Sequence, residues 1–181
     1  KMKFLILIQA LISTALAIRM QCRFEMREMN QLPFTYACSS EGLSNISESE
    51  SLTAVNGTHL SGKSNRDVQF LFITSERGLT FFPRNIDNFF PNLIAIGFQY
   101  CNISSLNGDE LNAFNNLTWL ALSNQPFLER IPSNLFTNTP EMKTIFFFQN
   151  PIKHVGEGLL DSLGHLNYAH FGNNYCVNIS A

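Results

Sequence analysis

Residues 117–125 read LTWLALSNQ, with apolar side chains at the first, fourth and sixth positions and an amide side chain at the ninth. Residues 68–76, 93–101, 142–150 and 166–174 follow the same frame. The units start at positions 68, 93, 117, 142 and 166, so successive starts are 25, 24, 25 and 24 residues apart. Five units that agree in frame and period predict a stack of similar structural units, each burying its apolar side against its neighbours.

The frame L-x-x-L-x-L-x-x-N/C with this period is typical of a leucine-rich repeat. Its central x-L-x-L-x segment predicts a short strand whose side chains alternate between two faces. We expect Leu120 and Leu122 to point inward, and Trp119 and Ala121 to point outward. The sequence therefore predicts a leucine-rich-repeat solenoid of the α/β-type horseshoe arc, with a concave parallel sheet of about five strands and an irregular convex side.

The ninth position of each unit lies where the chain turns off the strand, and its side chain is predicted to point inward. Asn150 and Asn174 suit this position because an Asn side chain can hydrogen-bond backbone groups of a turn. Gln125 is a longer substitute, and Cys101 is interpreted as a small buried thiol. Glu76 fits the position poorly, as expected for a terminal repeat.

Three segments flank the repeats, which we place at residues 66–174. Residues 2–17 have the form of a signal peptide, in which Lys3 precedes an apolar run and an Ala-Leu-Ala cleavage site. The mature chain is therefore predicted to be secreted and extracellular, without a membrane span. Residues 18–65 are predicted to form an N-terminal cap, and residues 175–181 the start of a truncated C-terminal cap.

The N-terminal cap contains two cysteines that flank a polar segment. We expect Cys22 and Cys38 to lie on two strands of a small β cap and to form a disulfide, because exported chains are oxidised. The Ser- and Glu-rich run at residues 39–51 predicts a mobile surface loop. Cys101 and Cys176 lie three strand steps apart, roughly 14 Å, which is too far for a disulfide. Cys176 is then either free or paired beyond the end of this sequence.

Several motifs have the form found in one group of proteins: Cys22-x-Phe24 with Tyr36-x-Cys38, Gly57-x-His59-x-x-Gly62-Lys63-x-Asn65-x-x-Val68, Phe90-Pro91-Asn92-Leu93, Ile131-Pro132-x-x-Leu135-Phe136, Asn150-Pro151-Ile152 and Asn173-Asn174-x-Cys176. In these motifs the chain resembles the secreted leucine-rich-repeat proteins of insects. The resemblance implies a curved solenoid with a cysteine-bearing N-terminal cap, used for binding rather than catalysis. It also implies that the chain runs on past Cys176 through a helix to a second cysteine, whereas this sequence stops at Ala181.

Charge and side-chain chemistry exclude several classes of function. The chain has 12 Lys and Arg against 14 Asp and Glu, and no basic patch of the kind that nucleic-acid binding requires. None of its four histidines is paired at metal-ligand spacing, and no Ser lies on a strand-turn-helix elbow. We therefore expect no enzyme activity, no metal, no cofactor and no nucleic-acid partner.

Residues 57–64 match the phosphate-loop pattern G-x-x-x-x-G-K-[ST]. A phosphate loop needs a buried strand before it and a helix after it, so that backbone amides face the phosphates. Here the preceding residues 47–56 are polar and the following residues 68–73 are predicted to be a strand. We interpret this loop as a glycine-containing turn that leads into the first repeat.

Five N-x-[ST] sequons mark possible N-glycosylation sites in a secreted chain: Asn45, Asn56, Asn102, Asn116 and Asn178. Asn102 and Asn116 are predicted to lie in turns that flank the strands, so that glycans there would leave the sheet open. We expect at least two of the five to be occupied.

The outward positions of the repeat strands are rich in aromatic side chains. Such surfaces mark binding sites, although aromatic residues also favour strands and stack across them. We expect the concave face to bind a partner through Phe70, Phe72, Gln99, Tyr100, Trp119, Phe146, Phe148, Tyr168 and His170. An extracellular protein is the first expectation for that partner. A glycan is the second, and an extracellular scaffold without a discrete ligand is the third.

Overall fold

A computed structural model of the chain describes residues 18–29, 32–44, 46 and 50–175. Several of the expectations above fall outside these residues: the signal peptide at 2–17, the sequons at Asn45 and Asn178, Cys176, and all but the first residue of the C-terminal cap.

The described residues form ten strands and one short helix. In chain order they are β1 (Ile18–Met29), β2 (Leu32–Ser44), β3 (Leu52–Asn56), β4 (Phe70–Thr74), α1 (Ile86–Phe89), β5 (Ala95–Gln99), β6 (Trp119–Ser123), β7 (Arg130–Ile131), β8 (Thr144–Phe146), β9 (His154–Val155) and β10 (Tyr168–His170). A single 3-10 turn, Asn65–Asp67, precedes β4.

One strand from each repeat enters a parallel sheet. The spatial order over the described residues is β10-β8-β6-β5-β4-β2-β1-β3. Strands β4, β5, β6, β8 and β10 pair in parallel with the same repeat positions opposite one another. The predicted five-stranded parallel sheet of a solenoid is confirmed, because a constant period places equivalent residues side by side.

The N-terminal cap continues this sheet. Strands β1 and β2 form an antiparallel hairpin, as expected, and Cys22 and Cys38 form the predicted disulfide. Strand β2 then pairs in parallel with β4, so Cys38 lies opposite Leu71 of the first repeat. The loop predicted at residues 39–51 is wrong for residues 39–44, because β2 extends to Ser44 by pairing with β1.

The inward positions of the repeats form one continuous core. Leu71, Ile96, Leu120 and Ile145 occupy the same position of successive repeats and are fully buried. Phenylalanines fill the space between the sheet and the convex side, and Phe90, Phe98, Phe136 and Phe147 are among the largest fully buried side chains. Each large ring contributes roughly 2–3 kcal/mol of burial energy, so stacking of repeats is the main source of stability.

The ninth positions form a buried polar ladder. Asn150 donates from Nδ2 to the Leu122 carbonyl at 2.7 Å and accepts at Oδ1 from the Gln125 amide at 2.7 Å. Gln125 in turn donates to the Phe98 carbonyl and accepts from the Ile103 amide. Each side chain therefore satisfies backbone groups of the neighbouring repeat that the turn leaves without partners.

Asn150→Ala tests this ladder. The change leaves the Leu122 carbonyl and the Gln125 amide buried without their partner, and we expect the free energy of unfolding to fall by about 2 kcal/mol. Equilibrium urea denaturation followed by circular dichroism measures the loss. Asn138→Ala is the matched control, because Asn138 bonds Asn112 at the surface and its loss should cost no more than about 0.5 kcal/mol. Equal effects at both positions would contradict a buried ladder.

The first repeat replaces the ladder amide with a carboxylate. Glu76 accepts a hydrogen bond at Oε1 from the Leu43 amide of β2 at 3.1 Å. Burial raises the pKa of Glu76, and this hydrogen bond opposes the rise. The residue that fitted the repeat frame poorly therefore joins the first repeat to the cap.

The convex side is irregular, as predicted. It contains the four-residue helix α1 and a two-stranded parallel pair formed by β7 and β9. Phe90, Phe114 and Leu163 point inward from the turns that lead back to each strand.

Strand β3 directly precedes the loop at residues 57–64, and most of its residues are not buried. The 3-10 turn that follows is three residues long and supplies no α-helix N-terminus for a phosphate. Gly57 adopts φ 139°, and a Cβ there would lie 2.2 Å from the Cys22 carbonyl oxygen. The glycine is therefore needed for close packing against β1, which agrees with the interpretation of this loop as a turn.

A candidate binding surface on the concave sheet

The outward side chains of the repeat strands line up in rows across the sheet. One row contains Phe70, Ala95, Trp119, Thr144 and Tyr168. The next contains Phe72, Gly97, Ala121, Phe146 and His170. Both rows agree with the register that the repeat period predicts.

Three of the predicted binding residues expose little or none of their surface. Trp119 is only 3% exposed, Phe70 is fully buried and Phe72 is nearly so. Trp119 packs edge-on against Phe70 at a centroid distance of 5.6 Å and against Phe146 at the same distance. Phe70, Phe72 and Trp119 are therefore not the exposed side chains that the sequence predicts, because their rings form a second small core on the concave face. Their contact with a partner stays a prediction.

Small residues in the rows allow the rings to meet. Ala95 lies between Phe70 and Trp119, and Gly97 lies beside Phe72. A Cβ at Gly97 would come within 2.9 Å of the Phe72 ring and 3.3 Å of the Trp119 ring. The two rings therefore lie over a glycine that leaves space for them.

The C-terminal half of the face keeps its aromatic side chains accessible. Tyr168 is 38% exposed, and Phe146, Phe148 and His170 are half-buried. Phe148 stacks on His170 at 4.8 Å with a 27° angle between the rings, and Phe146 contacts Tyr168 at 5.1 Å. These rings support one another in fixed positions on the sheet.

A groove runs between the buried and the accessible rings. Its volume is about 280 Å³, and it is lined by Phe72, Gln99, Trp119, Ala121, Ser123, Phe146, Phe148 and His170. Apolar atoms form most of the lining, with Gln99 and Ser123 as the polar groups. No lining side chain carries a formal charge while His170 is neutral. The groove therefore offers flat apolar surface with two hydrogen-bonding groups.

The Trp119 indole also has a free polar group. Its Nε1 is buried and has no hydrogen-bond partner within the described residues. A buried N–H without a partner costs about 1–3 kcal/mol.

The cap contributes charged residues to the concave face, and the repeat pattern does not predict them. The Arg27 guanidinium carbon lies 4.5 Å from the Phe72 ring centroid and 5.9 Å from that of Phe70. Arg27 donates to the Ser39 hydroxyl at 2.8 Å, and that hydroxyl donates to the Glu25 carboxylate at 2.7 Å. The alternating Arg23-x-Glu25-x-Arg27 pattern was the available signal, since a period of two places these residues on one face.

This cluster closes the N-terminal end of the aromatic face. Arg23 also pairs with Glu25 at 3.2 Å. The Ser39 hydrogen bond lowers the pKa of Glu25, with further lowering from Arg23 and Arg27. Two guanidinium groups around one carboxylate leave a net positive charge at this edge of the face.

Tyr100 lies apart from the concave groove, contrary to its predicted place in the binding face. It follows the end of β5 with φ 55°, at the position where the other repeats also have positive φ: Ser75, Asn124, Gln149 and Asn173. Its ring lines a different groove at the strand ends, together with Phe127. The reason is the left-handed turn, which directs this row away from the sheet face.

The described sequons lie outside the concave groove. Asn56 ends β3 and is exposed, and Asn116 lies exposed in the turn before β6. Asn102 lies in the turn after β5, partly exposed, and donates from Nδ2 to the Arg77 carbonyl.

Within residues 18–29, 32–44, 46 and 50–175 no group of three or more His, Cys, Asp or Glu side chains is placed to hold a metal ion. In the same part of the chain no helix has the length and apolar character needed to cross a membrane.

Comparison with other proteins identifies the fold. No protein-family model and no curated protein sequence matches the chain. Among solved structures, that of the Toll–Spatzle complex from Drosophila aligns with 68% of this chain and 16% of its own, at 18% identity and a TM-score of 0.55. The chain is a leucine-rich-repeat solenoid. The TLR13–ssRNA13 complex aligns with 70% of this chain and 26% of its own, at 14% identity and a TM-score of 0.35.

This solenoid spans only a small part of the length of either of those proteins. The likeness to the structure of the Toll–Spatzle complex supports the fold, which agrees with the expectation from the repeat frame.

Proposed function

We propose that this chain is a secreted binding module that recognises an extracellular protein through the concave face of its solenoid. The observation that carries the proposal is the apolar groove beside the ordered rings of Phe146, Phe148, Tyr168 and His170. Rings that are already held in place lose little entropy on contact, and such aromatic residues often contribute most of the energy of an interface.

Two further features support this proposal. The cap disulfide is of the kind that forms in oxidising compartments, which fits the signal peptide that the sequence predicts at residues 2–17. A leucine-rich-repeat protein of the same fold, Toll, forms a complex with Spatzle. We assign residues 18–65 to the cap, 66–174 to the repeats and 175–181 to the start of a C-terminal cap.

A glycan ligand is the second candidate. The flat Phe148–His170 stack could pack against the apolar face of a sugar ring, and Gln99 and Ser123 lie in the same groove to accept or donate hydrogen bonds. Both candidates use the same residues and differ in the chemistry of the bound material. Neither requires catalytic groups, and we propose no enzyme activity.

A paired capture experiment tests the concave face. The mature chain is immobilised and incubated with extracellular fluid, and the affinity for the captured ligand is then measured by biolayer interferometry. We expect Phe148→Ser combined with Tyr168→Ser to weaken binding at least about tenfold, because both rings are accessible and removal of such anchors commonly costs 2 kcal/mol or more. Affinity should change little between about 50 and 300 mM salt, since the groove lining is uncharged.

Phe34→Ser is the matched control. Phe34 is 65% exposed and is not among the residues that line the groove, so its loss should leave binding unchanged. Lys63→Ala should also have no effect. Treating the captured material with protease or with glycosidase separates a protein ligand from a glycan. Binding that survives the double change in the groove would refute the proposal.

A further inference from the structure

A second groove lies at the edge of the solenoid where the repeat strands end. Its volume is about 540 Å³, within the range of small-molecule sites. Two aromatic rings line it in exposed positions, Tyr100 at 53% and Phe127 at 58% exposure. The same groove includes Asn102, the first residue of an Asn-Ile-Ser sequon. Two exposed aromatic rings therefore lie in the same groove as an asparagine that can carry an N-linked glycan.

The backbone at Tyr100 adds a second observation. Its φ of 55° is in the left-handed region, where Asn and Asp are favoured and bulky aromatic residues are uncommon. The equivalent positions of other repeats include Asn124 and Asn173, which suit this conformation. An aromatic residue here is conformationally unfavourable, and its ring gains little burial in return. Such an exception to the local rule often marks a functional contact.

We propose that this groove holds the chain's own N-linked glycan, attached to Asn102, with the first N-acetylglucosamine rings packed on Tyr100 and Phe127. The sugar rings present apolar C–H faces that pack on aromatic rings as other apolar groups do. The Arg77 backbone carbonyl accepts a hydrogen bond from one amide hydrogen of Asn102. The other amide hydrogen is the one that the bond to the sugar replaces. The proposal rests on the proposed export of the chain, because the modification takes place in the secretory pathway.

The glycan is attached to Asn102 by transfer from a lipid-linked oligosaccharide pyrophosphate. The Asn102 Nδ2 attacks C1 of the first sugar of a lipid-linked oligosaccharide pyrophosphate. The new N–C1 bond forms as the C1–O bond to the pyrophosphate breaks. The amide loses one proton to a base of the transferring enzyme, and the lipid pyrophosphate leaves with the bonding electron pair.

The other described sequons lack this arrangement. Two residues before Asn102 is Tyr100, which is exposed. The corresponding residue before Asn56 is Ala54, and before Asn116 it is Phe114, which is buried in the core. Stabilisation of the fold by a glycan is therefore assigned to Asn102 alone among the described sequons. Because the groove lies at the strand ends, the glycan leaves the concave face open.

The experiment compares the full chain from a secretory host with the same chain from a host that does not N-glycosylate. Mass spectrometry of glycopeptides gives the occupancy of each sequon. Ser104→Ala removes the sequon and retains Asn102 with its hydrogen bond to Arg77. We expect this change to lower the Tm of the glycosylated chain by roughly 3 °C more than that of the unglycosylated chain.

The ring requirement is tested by Tyr100→Ser combined with Phe127→Ser. In that background the extra Tm loss caused by Ser104→Ala should disappear. The protons of the first N-acetylglucosamine on Asn102 should show upfield ring-current shifts by NMR in the wild type and normal shifts in the double variant.

Two results overturn the proposal. One is an unmodified Asn102 in a chain whose Asn116 or Asn56 carries a glycan. The other is a modified Asn102 with normal sugar shifts and a Tm loss that does not depend on the two rings. A chain that is not exported and carries no glycan at any sequon overturns the proposed secretion as well, so the two failures are distinguishable.

Discussion

Trp119→Ala is expected to destabilise the fold severely, by about 3–5 kcal/mol. The side chain is nearly fully buried, and it contacts Phe70 and Phe146 within the concave aromatic cluster. Truncation removes the largest ring of that cluster and leaves a cavity between two strands that cannot close without breaking their register. A loss of this size corresponds to a fall in Tm of roughly 10 °C for a chain of this length.

Circular dichroism during urea denaturation is the appropriate measurement, because Trp119 is the chain's only tryptophan and fluorescence disappears with it. Trp119→Phe is a matched variant that retains an aromatic ring and removes the unpaired Nε1–H, so it should cost much less than Trp119→Ala. Tyr168→Ala, at an accessible position of the same row, should cost about 1 kcal/mol or less. A Trp119→Ala chain of near wild-type stability would contradict the assignment of the tryptophan to a core.

The burial of Trp119 also separates what the sequence could predict from what it could not. Strand positions and register follow from a period-two alternation inside a repeat of 24 or 25 residues, and both signals are local. The exposure of an outward side chain depends instead on its neighbours in the row. Phe70 and Trp119 are buried because the residue between them is Ala95. Only the assembled row, with its alternation of large and small residues, carries that information.

The cap illustrates a second limit. Its three strands lie outside the repeats, so the repeat frame does not specify that β2 pairs with β4. That pairing places Arg27 over Phe72 and Glu76 beside the Leu43 amide. The charged end of the concave face and the role of Glu76 both follow from a long-range contact. The disulfide could be predicted, because exported chains are oxidised and Cys22 and Cys38 are the two cysteines of the cap.

The sequence also does not show which surface each exposed aromatic side chain belongs to. Tyr100 and Phe148 both lie near the ends of repeat strands, and the sequence predicts both on one surface. The left-handed turn at Tyr100 directs its ring to the groove with Phe127, whereas Phe148 remains stacked on His170. The position of Tyr100 in the turn after the strand therefore separates the proposed partner surface from the proposed glycan groove.

Replacing both Cys22 and Cys38 with Ala is expected to lower the free energy of unfolding by about 3 kcal/mol. The two residues are 16 apart in sequence, and a closed loop of about 15 residues is worth about this much in the chain-entropy model. Both sulfur atoms also lie in the core at the junction with the first repeat, since Cys38 is opposite Leu71. Loss of the bridge should therefore loosen the β1–β2 hairpin first, which hydrogen exchange can detect as early loss of amide protection there.

Cys101→Ala is the control for this prediction. Cys101 is a free, buried thiol, and burial raises its pKa to about 11, so it is protonated and poorly nucleophilic at neutral pH. We expect its replacement to cost about 1 kcal/mol and its alkylation by iodoacetamide to require unfolding. Peptide mapping of the unreduced chain should recover Cys22 joined to Cys38. A bridge that includes Cys101 would break the repeat register, because it would require a ladder position to leave the core. An unfolding free energy that is unchanged by the paired Ala substitutions would show that hairpin pairing alone holds the cap to the solenoid.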